Sequence, residues 1–334
     1  MTPRFVGEGM PDEVHMLHLA PGYFDDVETE RTVLSRAFDD VRIYEHGGDL
    51  TASLTDPVEV DVIATFDTPV DRELLEATDA SVVAVYATGI DWVDVEAASE
   101  LGVAVTRVPE YCDREVGEHV LSLALALLRG LPQYDAATSR RDWDWSIANP
   151  LRAFSELTFG FLAFGRKARS AAALAGPLGF DLVAHDPYVD DADIRAEGVT
   201  PVGMDTLLER ADVLSVHLPL TDETESLLNE DAFDRLPDGA VLVNAGRGAV
   251  IDETALLQAL EEGSLAAAGL DVLAEEPPDS GNPLLGRTDT IVTPHVAWNS
   301  EEAIERVRAR GTEYAIRALR GERSEAVVNP CAFD

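Results

Sequence analysis

Short β-branched runs alternate with helical patterns along this chain, and that alternation leaves few architectures open. Strands that reach their neighbours through helices pair in parallel, and the helices cover both faces of the sheet. One set of runs is VHMLHLA (14–20), VRIYEH (41–46), VDVIATF (60–66), SVVAVYA (81–87) and VAVTRV (103–108). A helical pattern, EVGEHVLSLALALLRGL (115–131), separates these from a second set. That set is LTFGFLAFG (157–165), DLVAHD (181–186), VLSVHL (213–218), AVLVNAG (240–246), GLDVL (269–273) and TIVTP (290–294). The pattern predicts an α/β chain with two doubly wound parallel sheets. A last helix is expected over 301–319.

Bulk properties agree with two domains and exclude several classes of partner. A chain of 334 residues, 46% of them hydrophobic, can bury two cores. Its 63 acidic residues outnumber 25 basic ones, for a net charge of -38, and Lys167 is the one lysine among those 25. Acids are spread along the chain without a run of five, so the charge is no acidic tail. So much like charge repels itself at low salt, which points to a halophile's cytoplasmic protein. It also argues against nucleic acid and anionic membranes as partners. The opening MTPRFVGEGMPDE has no basic segment followed by an apolar one, so no secretory signal is expected. The apolar stretch VLSLALALL (120–128) is half of what spans a bilayer and reads as a buried helix. Two cysteines, Cys112 and Cys331, make no disulfide framework, and no spacing suggests a metal site.

Three loops that follow apolar strands carry an arginine, an acid and a histidine. They are NAGRGAVID (244–252), GLDVLAEEP (269–277) and TPHVAWNS (293–300). The guanidinium of Arg247 can fork onto a carboxylate, and His295 titrates near neutral pH, where a proton must come and go. Glu276 can keep that histidine protonated. These are the groups that reduction of a 2-oxo acid requires: an anchor that polarises the carbonyl, a proton donor and the donor's partner. Together with VYATGIDWVDVEAA (85–98), RVPEYCDREVGEH (107–119) and SVHLPLTDETESLL (215–228), the loops stand in a familiar order and spacing. From about Ala87 to His295 the chain resembles the D-isomer-specific 2-hydroxyacid dehydrogenase family.

The resemblance implies a flavodoxin-like catalytic domain over 1–113 and 307–334 and a Rossmann NAD-binding domain over 114–306. It makes Arg247, Glu276 and His295 catalytic, and places substrate at Thr88, Gly89, Tyr111 and Trp298. Cofactor contacts are implied at Phe164, Gly165, Arg166, Lys167, Asp186, Leu218, Pro219, Thr224, Ala245, Gly246 and Asp271, the last holding the nicotinamide carboxamide. A homodimer is also implied, with Trp143 and Trp145 in RRDWDWS (140–146) as candidate anchors.

The cofactor loop departs from the family's pattern. Where G-x-G-x-x-G is expected, the residues are AFGRKA (163–168). Gly165 keeps the position at which phosphate approaches the backbone. Ala163 must accept whatever angles the turn demands, and a positive φ there would strain it. Asp186, 21 residues beyond Gly165, is placed to bind ribose hydroxyls and repel a 2'-phosphate, which favours NAD over NADP. Arg166, Lys167 and Arg169 cluster at a helix start, where cations oppose the helix dipole unless an anion lies near. The expected activity is therefore NAD-dependent interconversion of a small 2-oxo acid and its D-2-hydroxy acid. Trp298 and the lack of a segment after residue 334 lean toward a glyoxylate or hydroxypyruvate reductase, with phosphoglycerate dehydrogenase as an alternative. A non-catalytic NAD(H)-binding regulator is the rival from another class.

Overall fold

Five parallel strands and seven parallel strands form two separate sheets in the computed structural model, which describes residues 12–19, 23–45, 59–148 and 150–333. The chain divides into two units, Met1–Tyr111 with Ser300–Asp334, and Cys112–Asn299. These divisions fall earlier than the boundaries expected at 113 and 306. Ser300 accepts a hydrogen bond from Ala303 N at 2.9 Å and caps the Glu301–Leu319 helix, so that helix stays with the first unit from its first turn.

The first unit holds β1 (Glu13–His18), β2 (Asp40–Glu45), β3 (Val62–Thr65), β4 (Val82–Val85) and β5 (Ala104–Thr106), in the order β2-β1-β3-β4-β5. All pairings are parallel. Each expected run overlaps one of these strands. Ala20 and His46, at the ends of two runs, lie outside the described residues, as does the opening stretch through residue 11. β3 and β4 are buried along their whole length, which is why they read as unbroken apolar runs. The Glu301–Leu319 helix packs on β4 and on the Glu28–Leu34 helix. Gly311 makes that possible, because a Cβ there would stand 2.3 Å from the Tyr86 ring. Buried Arg308 donates to both oxygens of buried Glu30 at 2.9 and 2.7 Å. The chain then returns to the sheet edge, where Asn329 accepts from Val105 N at 2.7 Å and donates to Val103 O at 2.9 Å.

The second unit holds β6 (Thr158–Leu162), β7 (Asp181–His185), β8 (Thr200–Pro201), β9 (Val213–Val216), β10 (Ala240–Asn244), β11 (Leu265–Leu270) and β12 (Thr290–Val292). Their order, β12-β11-β10-β9-β6-β7-β8, reverses direction between β6 and β9. A crevice opens outside the carboxyl ends of strands at such a reversal, and ligands bind there in open parallel sheets. Three differences from the sequence reading have local causes. β8 is a two-residue edge strand ending in a proline, too short to leave a pattern. β11 starts at Leu265, earlier than the expected 269, because its small residues LAAAGL pair with β10, and it stops before Asp271. The long helix runs Asp113–Leu128 and stops short of Leu131, since Gly130 turns left-handed at φ +62°. Its Gly117 lets it press on the Arg166–Ala175 helix, because a Cβ there would meet Ser170 Oγ at 2.7 Å. No helix among the described residues is long and apolar enough to cross a membrane.

Candidate active site

The expected phosphate loop leaves β6 through Ala163, whose φ of +67° places an alanine in the left-handed region. The absence of glycine there strains the turn by roughly 1 kcal/mol. Phe164 N donates to Asp186 Oδ2 at 2.7 Å and Tyr188 N to Asp186 Oδ1 at 2.9 Å, so the carboxylate expected at the ribose also ties the loop to the end of β7. Gly165 has ordinary extended angles, φ -73° and ψ -170°, that any residue adopts. A Cβ on Gly165 would meet no protein atom within 4 Å. Neither backbone nor packing therefore asks for glycine, and a ligand that approaches the loop closely does. The residues fit a dinucleotide phosphate by that test.

Beside Gly165 lies a cavity of about 390 Å³ lined by Asp113, Arg166, Lys167, Ala168 and His217. Its cations are not waiting for a ligand alone, as the sequence suggested. Arg166 Nε pairs with Asp113 Oδ2 at 3.1 Å, Lys167 Nζ lies 3.7 Å from Asp113 Oδ1, and Arg169 pairs with Glu197 at 3.2 Å. The anion inferred from the basic cluster is in part the chain's own. His217, which the sequence reading left without a role, hydrogen-bonds Ser215 Oγ through Nε2 at 2.8 Å. Burial and the Lys167 charge push its pKa down to about 3, so it offers polarity without charge. Thr224 closes the adjoining turn by donating to Pro219 O at 2.7 Å, with Leu218 on the same segment.

Three loops at the carboxyl ends of β10, β11 and β12 bring Arg247, Glu276 and His295 together. Asn244, buried at the end of β10, accepts from Gly246 N at 2.9 Å and donates to Arg247 O at 3.0 Å, which fixes the Ala245–Gly246–Arg247 turn. Gly248 follows, and a Cβ there would fall 1.9 Å from the Leu273 carbonyl carbon. The arginine loop thus rests on the loop that carries Glu276. That second loop folds back so that Leu273 N donates to Glu276 Oε1 at 2.9 Å. Glu253, from the Glu253–Glu262 helix, clamps it by accepting from Ala274 N at 2.7 Å. Sequence reasoning passed over Asn244, whose partners Gly246 and Arg247 are its near neighbours in the chain, and Glu253, which only the fold brings to Ala274.

Glu276 Oε2 lies 2.7 Å from His295 Nδ1. A carboxylate can only accept, so Nδ1 carries the proton and Nε2 is left for chemistry. The Glu276 hydrogen bond raises the His295 pKa above its ordinary value, against partial burial and the nearby Arg247 charge, with Asp271 adding to the rise. Burial works to raise the Glu276 carboxyl, but the His295 bond, helped by the Arg247 charge, holds it below the usual carboxylate range. His295 itself has φ +51°. Asp271 is buried, 1% exposed, with Oδ1 accepting from Val296 N and Oδ2 from Ala297 N, both at 2.9 Å. Trp298 turns its indole back to donate to His295 O at 2.9 Å. The remaining expected substrate residues belong to the first unit, where Thr88 Oγ1 donates to Val108 O at 3.1 Å, Gly89 follows it, and Tyr111 is buried.

Comparison with known proteins gives this arrangement a lineage. Over 268 residues the chain is 34% identical to hydroxypyruvate reductase of Blautia hydrogenotrophica, covering 76% of this chain and 83% of that one. It is 35% identical over 264 residues to D-3-phosphoglycerate dehydrogenase of Methanocaldococcus jannaschii, covering 78% of this chain but only 50% of that longer protein. The crystal structure of TP0037 from Treponema pallidum, a D-lactate dehydrogenase, superposes with a TM-score of 0.79 at 27% identity, over 94% of this chain and 99% of that one. Residues 121–297 match the family model described as D-isomer specific 2-hydroxyacid dehydrogenase, NAD binding domain, and with the relatives above they show that the chain belongs to the D-isomer-specific 2-hydroxyacid dehydrogenase family.

Proposed function

We propose that this NAD-dependent dehydrogenase reduces a small 2-oxo acid to its D-2-hydroxy acid, with hydroxypyruvate or glyoxylate as the model substrates. The 2.7 Å bond between His295 Nδ1 and Glu276 carries the reading, because it leaves Nε2 for the substrate oxygen and raises the imidazole's pKa, favouring the charged form whose Nε2–H donates. Nicotinamide, when bound, supplies the hydride. Arg247 holds the substrate carboxylate and draws charge toward the carbonyl oxygen, and His295 Nε2 gives its proton to that oxygen as it becomes an alkoxide. Glu276 keeps the imidazole oriented and stabilises its charged form. Trp298 bounds the substrate, and Gly165 admits the pyrophosphate. Asp186 selects NAD by repelling a 2'-phosphate. The resemblance to hydroxypyruvate reductase, 34% identical over 268 residues, supports a small 2-oxo acid as the substrate.

The test is oxidation of NADH and of NADPH in molar KCl across a panel of 2-oxo acids. Turnover of glyoxylate or hydroxypyruvate with NADH is expected, and no turnover of any 2-oxo acid would overturn the reading. The acid-rich, lysine-poor composition supports a cytoplasm of concentrated salt. A homodimer completes the proposal, supported by Trp143 and Trp145, which are 92% and 79% exposed. Light scattering that finds a monomer at high salt would exclude it.

A further inference from the structure

We propose that His119, on the Asp113–Leu128 helix, is a positioning residue for the proton donor, acting through Thr293 and Asp271 to hold the turn that carries His295. The proposal rests on the role given to His295 above. The directions of two hydrogen bonds carry it. Thr293 Oγ1 lies 2.6 Å from Asp271 Oδ1, and a carboxylate only accepts, so the single hydroxyl proton points to Asp271. The same oxygen lies 3.0 Å from His119 Nε2. With its proton already committed, Thr293 accepts there, and His119 Nε2 carries a hydrogen and donates it. Nε2 is also 3.5 Å from Asp271 Oδ1, within reach of the charge that orders the whole chain of bonds.

What this chain holds is the histidine turn. Asp271 Oδ1 accepts from Val296 N and Oδ2 from Ala297 N, both at 2.9 Å, and the Asp271 carbonyl accepts from His295 N at 2.8 Å. His295 is thus bracketed by residues bound to one buried aspartate, Thr293 on one side and Val296 and Ala297 on the other. Between them it sits at φ +51°, a conformation an L side chain keeps only when its surroundings impose it. Thr293 reaches Asp271 through a rotatable side chain, and His119 engages that same hydroxyl. The helix that supplies His119 begins with Asp113, which pairs with Arg166 on the cofactor loop. One helix therefore braces both the loop at the phosphate and the turn at the proton.

A double-mutant cycle on the full chain tests the coupling, with His119→Leu and Thr293→Val as the single variants. Each is expected to lower kcat for 2-oxo acid reduction about tenfold while the NADH Kd, read by fluorescence, changes less than twofold. The double variant is expected to be no slower than the slower single, because either change breaks the same chain. Fully multiplied losses would overturn the proposal, since His119 would then act independently of Thr293. Nitrogen-15 imidazole NMR reads the same bonds without turnover. Neutral His119 should be the Nε2–H tautomer, and its signals should move in Thr293→Val. The His295 signals should move in His119→Leu. An Nδ1–H tautomer at His119, or His295 signals untouched by His119→Leu, would overturn the proposal even if catalysis is as proposed. Absent turnover in the parent chain would overturn the functional reading instead, with the NMR result still deciding the hydrogen bonds.

Discussion

His295 combines two demands that seldom meet in one residue, a left-handed backbone and a side chain that must lose and regain a proton. The pH at which it does so is set by Glu276. Because that hydrogen bond and its charge raise the histidine's pKa, Glu276→Gln is expected to lower it and to move the alkaline limb of 2-oxo acid reduction toward lower pH. Oxidation of the hydroxy acid, which needs the neutral imidazole, should extend toward lower pH by the same shift. Profiles of kcat/KM in both directions check the sign, and unmoved profiles would reduce Glu276 to a loop residue. Arg247→Lys is expected to lose on the order of a hundred- to thousandfold in rate, because an ammonium cannot fork onto carboxylate and carbonyl together. Near-parental turnover would take Arg247 out of the mechanism. Gly165→Val gives the cleanest test at the cofactor loop, since its Cβ meets no protein atom. NADH binding should vanish while the melting temperature holds.

Elements were legible in the sequence where packing is local and hidden where it is not. β3 and β4 announce themselves because both faces are covered and every position but Thr65 is apolar. The last helix has the bounds 301–319 expected of it, and Ser300 caps it. That Arg247, Glu276 and His295 come together was readable because each follows a strand in its own motif. His119 and Glu253 were not, because their partners lie on other elements and only the fold brings them close. The acids that pair with the basic run 166–169 were hidden for the same reason, since Asp113 and Glu197 are distant in sequence. Where the last helix meets the first unit, Arg308→Met should destabilise by about 3–5 kcal/mol, because Glu30 would be left as a buried charge without its partner. Changing Glu30→Gln in the same chain should recover part of that loss. Denaturant midpoints of the single and double variants decide it, and equal destabilisation in both would mean the pair is not what holds the helix.

On the scale of the whole molecule, a net charge of -38 works against compactness unless salt screens it. The melting temperature is therefore expected to climb as KCl rises from low to molar concentration. Calorimetry that finds it flat would contradict a halophilic origin for the acid excess.

The first unit is also interrupted by the whole of the second, and this has a consequence for synthesis. Its sheet is complete once Thr106 has been made, yet the helix that covers Tyr86 and neutralises Glu30 begins only at Glu301. With roughly 190 residues intervening and ribosomes adding about 5–20 residues per second, the sheet waits some 10 to 40 s without that cover. A nascent chain arrested just before Ser300 should therefore present an apolar sheet face around a carboxylate that has no counter-charge. That is the stage at which this protein is most open to capture by a chaperone or by another copy of itself.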